Sequence, residues 1–97
     1  MEKRSPYQSL VKTFQRLSRF SHLSAIAGWD MFTMMPPGGS AARGEALAEL
    51  GVLQHQILTD KKVGEWLRNA LQEELNDAEQ ANLREMTRQY EQAALLP

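Results

Sequence analysis

The chain has 97 residues, 42% hydrophobic and 24% charged, which leaves room for one small-cored domain and is too apolar for a disordered chain. Its 11 lysines and arginines stand among 12 aspartates and glutamates for a formal net charge of -1, so no nucleic-acid-binding face is expected. There is no cysteine, which excludes disulfides and thiolate metal sites, and no apolar run of signal-peptide or membrane-spanning character, so a soluble, intracellular chain without a membrane partner is expected.

Ser5-Pro6 reads as a helix start, because a serine hydroxyl caps free amides and proline suits the first helical position. Tyr7, Leu10, Phe14 and Leu17 then recur at helical spacing, and Phe20, Leu23, Ile26 and Ala27 continue the apolar surface. The spacing predicts a first helix from Pro6 to about Met31, which at 1.5 Å per residue is roughly 40 Å long. Met34-Met35-Pro36-Pro37-Gly38-Gly39 breaks it, since two prolines cannot continue a helix and two glycines let the chain reverse.

Ser40 offers the second cap, followed by Ala46, Leu47, Leu50, Leu53, Ile57 and Leu58 on one broad face. Gly51 lies within that run and is expected to permit a close helix approach. Thr59-Asp60 opens a third helix with the apolar stripe Val63, Trp66, Leu67, Ala70, Leu71 and Leu75. Asn76-Asp77 is predicted to close it and to open a fourth, where Leu83, Met86, Tyr90 and Ala93 recur at steps of three and four. Glu85 and Arg88, three apart, are placed to form a surface charge pair. No segment alternates like a half-buried strand. The expectation is therefore an all-α fold: about four helices joined by short turns, the first long, forming an antiparallel bundle fragment over residues 1–97.

Chemistry-bearing residues are sparse. His22 and His55 stand apart, and the HExxH pattern that puts two imidazoles on one helix face for a metal does not occur. Glu73-Glu74 and Asp77-Glu79 read as a solvated charged face around a helix junction. Gly38-Gly39-Ser40 lacks the lysine of a phosphate-binding loop and reads as a turn, and no nucleophile–base set is apparent. Met31, Phe32, Met34 and Met35 cluster around Trp29-Asp30, either covering the turn or forming an apolar docking surface. Trp29 is expected to be a buried anchor. Asp30 is poorly placed against a helix C-terminus, and two partners suggest themselves: the amides of the Pro36–Gly39 turn, or Arg43.

Trp29-Asp30, then Met35-Pro36-Pro37-Gly38-Gly39, then Arg43 with Leu47 and Leu50, resembles the N-terminal signature of the thermostable, Taq-type metallocarboxypeptidases. Ala81-Asn82-Leu83-Arg84-Glu85, Tyr90-Glu91 and Leu96-Pro97 are similar to the same family in the same order, so the resemblance runs from about Tyr7 to Pro97. It implies an all-helical, cytoplasmic enzyme that removes C-terminal amino acids from peptides using zinc or cobalt, in chains much longer than this one and usually homodimeric. It also implies metal ligands from an HExxH helix and a downstream glutamate, with N-terminal helices covering part of a deep substrate groove.

No catalytic or metal residue of the family has a matching position here. The resemblance therefore marks Trp29, Asp30, Met35, Pro36, Pro37, Gly38, Gly39 and Arg43 as a structural motif, and implies no cofactor within this chain. The expectation is an N-terminal domain or fragment of such an enzyme, inactive alone, with the remainder of the parent as partner and self-association through exposed apolar stripes. The alternative reading is a stand-alone helical protein-interaction module.

Overall fold

The computed structural model describes residues 4–33 and 40–95, and the side chains of 4–29 and 41–95. Four helices follow in order: α1 (Pro6–Thr33), α2 (Ser40–Leu58), α3 (Lys61–Ala70) and α4 (Asp77–Leu95). No strand occurs among the described residues.

The start of α1 satisfies its free amides one by one. Ser5 Oγ accepts from the Gln8 amide at 3.1 Å and Gln8 Oε1 accepts from the Ser5 amide at 3.0 Å, a reciprocal capping box. Pro6 has no amide proton to satisfy. The Tyr7 amide donates to Glu73 Oε2 at 2.8 Å, so a residue far along the chain completes the cap. At 28 residues, α1 extends to Thr33, slightly beyond the expected end.

Helix α3 begins where expected, with Asp60 Oδ1 accepting from the Lys62 amide at 2.8 Å. It buries Val63, Gly64, Leu67 and Ala70, one stripe at helical spacing. The expected continuation to Leu75 does not occur. After Ala70 the chain tightens, with the Gln72 amide donating to the Asn69 carbonyl and the Glu73 amide to the Ala70 carbonyl, both at 3.1 Å. Unwinding there lets the Glu73 carboxylate reach α1 and leaves Leu75 packed against the core. Asn76 then caps α4: its Oδ1 accepts from the Glu79 amide at 2.8 Å, and Glu79 Oε1 accepts from the Asn76 amide at 2.9 Å.

These elements meet in one cluster. Leu10 of α1, Val63, Leu67 and Ala70 of α3, and Leu83 and Met86 of α4 are buried together, with Tyr7, Val11, Phe14, Trp66, Leu75 and Tyr90 around them. The core therefore sits where the first half of α1 crosses α3 and α4. Gly64 belongs to that crossing: a Cβ there would lie 2.7 Å from Tyr90 Oη.

Beyond Leu17 the molecule changes character. The second half of α1 and α2 form a two-helix arm joined by polar contacts, in which Gln54 Nε2 donates to Ser21 Oγ at 3.0 Å and Ser24 Oγ donates to Gln54 Oε1 at 3.4 Å. Among the described residues of this arm none is buried, although α2 is rich in leucine and alanine. The arm makes the molecule long, 54 × 28 × 26 Å, with a radius of gyration of 16.5 Å. A compact domain of this size has a radius near ~13 Å. Gly51 does not mediate a close helix approach as expected, for nothing lies within 4 Å of where its Cβ would be.

Candidate functional site

The residues singled out from sequence do not converge on one chemical centre. Trp29 lies near the end of the arm and is 69% exposed, which corrects its expected role as a buried anchor. The reason is local: Trp29 lies on the part of α1 beyond the core cluster and is not among the residues packed against that cluster. Arg43 is exposed in the first turns of α2. The Asp30 side chain lies outside the described residues, and so do Met35, Pro36, Pro37, Gly38 and Gly39. The Asp30–Arg43 pair and the methionine cluster fall there too.

His22 and His55 are exposed on α1 and α2. Among the described residues no group of three or more histidines and carboxylates is arranged to hold a metal ion. Of the four acidic residues around the α3–α4 junction, Glu74 and Asp77 are exposed as read from sequence, while Glu73 and Glu79 have structural tasks. Glu73 caps α1 and Glu79 caps its own helix. Glu79 was legible as the fourth residue of an Asn-x-x-Glu capping pattern, whereas nothing near Glu73 in sequence announces its bond to Tyr7.

The expected Glu85–Arg88 pair is present at 2.6 Å on the exposed face of α4. Its guanidinium, followed by the Gln89 amide at 3.1 Å, lowers the Glu85 carboxyl from 4.5 to about 2. A carboxylate so held stays ionised and exposed, which suits a surface tie and not a proton-transfer group.

An open groove of about 430 Å³ lies between the end of α3 and α4, lined by Ala70, Leu71, Leu75 and Leu83 with Glu73 and Arg84 at its rim. It holds no nucleophile beside a base. The larger apolar display is on the arm, where Leu23, Ile26, Val52 and Leu53 are exposed. The geometry is that of a scaffold with one packed end and one apolar, uncovered arm.

The sequence profile of the family described as Carboxypeptidase Taq (M32) metallopeptidase matches residues 9–97. The chain belongs to this family. It is 35% identical over 102 aligned positions to thermostable carboxypeptidase 1 of Thermus thermophilus, covering 100% of this chain and 20% of that protein. Thermostable carboxypeptidase 1 of Pyrococcus furiosus is 28% identical over 91 positions, covering 93% of this chain and 18% of that protein. The solved structure of Trypanosoma cruzi metallocarboxypeptidase 1 superposes with a TM-score of 0.91 at 41% identity, over 95% of this chain and 20% of that one.

The chain thus spans about a fifth of the length of the M32 relatives it matches. The described residues of this M32 chain do not fit a metal centre, since none of its histidines and carboxylates is grouped to hold an ion and HExxH does not occur in its sequence.

Proposed function

We propose that this chain is the N-terminal helical region of a metal-dependent carboxypeptidase that releases C-terminal amino acids from peptides, and that its helices cover part of the substrate groove. The observation that carries the reading is the match over residues 9–97 to a metallopeptidase family with relatives about five times longer. An elongated scaffold with an uncovered apolar arm suits a region that shapes a groove for chemistry housed elsewhere. The 97 residues alone are inactive in this reading, because no HExxH pattern occurs in the sequence and, among the described residues, no group of histidines and carboxylates is arranged to hold an ion. The parent enzyme works in the cytoplasm as a homodimer and uses zinc or cobalt, while the isolated chain self-associates through its exposed apolar residues.

The test is a chimaera in which this chain replaces the first fifth of the Thermus thermophilus relative. Chelator-sensitive release of C-terminal residues, within about tenfold of the parent's kcat/KM, is the expected result; tenfold is roughly 1.4 kcal/mol of transition-state stabilisation. A folded, metal-loaded chimaera with no such activity overturns the reading.

A further inference from the structure

We infer that the arm formed by α2 and the second half of α1 is the docking element for the remaining four-fifths of the enzyme, with α2 held between α1 and that remainder. The inference rests on the family reading above and adds to it which face is covered. Three observations lead to it.

First, α2 is apolar around much of its circumference, yet none of its described residues is buried. A helix of that composition is ordinarily enclosed on more than one side. Its half-buried stripe, Leu47, Leu50, Gln54, Ile57 and Leu58, follows the i, i+3, i+7 spacing of a single face, and Gln54 shows that this face meets α1. Val52, 57% exposed, and Leu53, 39% exposed, fall off that stripe. Second, α1 repeats the pattern. Ser21 and Ser24 face α2, while Leu23 and Ile26, three residues apart, project to another side and are about half exposed. Both helices of the arm therefore carry apolar residues that the contact between them does not use.

Third, the exposed leucines of the base, Leu71 and Leu95, lie at the ends of α3 and α4, whereas those of the arm lie within its helices. The core side chains of the base are enclosed, and every helix start within it is capped by a side chain. An apolar surface left uncovered on one part of a fold marks an interaction site. The length of the relatives supplies the occupant: four-fifths of a homologous enzyme lies beyond the region matched here.

The experiment compares the isolated chain with the chimaera containing the rest of the Thermus thermophilus enzyme. Amide hydrogen exchange across α2 is expected to slow by at least tenfold in the chimaera, while α4 exchanges alike in both. The double substitution Val52→Asp, Leu53→Asp is expected to leave the melting temperature of the isolated chain unchanged at a dilution where it is monomeric, and to lower that of the chimaera by several degrees. Should the double variant of the chimaera fail to fold, Leu53→Ser supplies the milder comparison. Equal exchange of α2 in both proteins, or the same change in melting temperature in both, overturns the inference. Protection that disappears on dilution of the chimaera assigns the face to a second copy and also overturns it. A chimaera that protects α2 yet lacks carboxypeptidase activity supports the docking element while counting against the proposed function, so the two failures are distinguishable.

Discussion

Two glycines in helices of this chain have opposite reasons to be there, and substitution separates them. At Gly64 a Cβ would stand 2.7 Å from Tyr90 Oη and 3.2 Å from its Cζ, so either the ring or the helix must move. Overpacking of this kind costs about 1–3 kcal/mol, against about 1 kcal/mol gained from alanine's helix propensity. Gly64→Ala is thus expected to lose about 1 kcal/mol in denaturant unfolding, and adding Tyr90→Phe should recover part of it. An unchanged midpoint would show that the Tyr90 ring swings aside freely. At Gly51 nothing stands within 4 Å, and only the propensity gain remains. Gly51→Ala is expected to raise the melting temperature of the isolated chain, by a gain of about 0.5–1 kcal/mol. A lower melting temperature would mean that α2 is already packed against something. Glu85 yields a pH prediction of defined sign. Its folded carboxyl is held down to about 2 by Arg88 and then Gln89, so its contribution is present above about 4.5 and is lost as pH falls through about 2. Because the pair is exposed, the effect is small and screened by salt. Glu85→Gln should flatten the decline of melting temperature between pH 4.5 and 2 at low salt, and identical curves would remove the pair from the account.

At the scale of elements, α1 depends on a residue that sequence distance hides. Its first-turn amide at Tyr7 is satisfied by Glu73, which is available only because α3 stops at Ala70 and the chain turns back toward α1. Removing that acceptor leaves a part-buried amide unpaired, so Glu73→Ala is expected to cost about 1 kcal/mol. Glu73→Gln, which keeps a carbonyl acceptor, should cost less. Thermal unfolding of the two variants checks this, and equal losses would show that the charge at the α1 N-terminus matters more than the hydrogen bond. The capping boxes at Ser5–Gln8 and Asn76–Glu79 are local and were open to reading from spacing alone. The Glu73 contact was not, because it is made by the fold and not by the pattern.

The whole molecule divides into a packed base and an uncovered arm, and its expected behaviour follows from that division. The chain by itself is expected to show no peptidase activity, with or without added zinc or cobalt, since no described group of side chains is arranged to hold either ion. Turnover of a carboxypeptidase substrate that a chelator abolishes would overturn this. The relatives, about five times longer, supply the mass against which the arm's apolar residues are proposed to pack. Stability of the isolated chain should accordingly reside in the base, where Leu10, Val63 and Ala70 are almost completely enclosed.

Helix class, number and starts were determined by the sequence itself, because caps at Ser5, Asp60 and Asn76 and apolar steps of three and four are local properties. Family membership was legible for a similar reason: Trp29-Asp30, Met35 to Gly39 and Arg43 form a linear string. Which apolar stripe becomes core was another matter. Leu10 and Leu23 sit on the same helix and read alike in sequence, yet only Leu10 meets α3 and α4. The tertiary structure alone decided that α3 ends at Ala70, that Glu73 caps α1, and that Trp29 is exposed. Periodicity specifies that a face is apolar, while burial depends on which neighbour arrives to cover it, and that neighbour is chosen by contacts between residues distant in the chain.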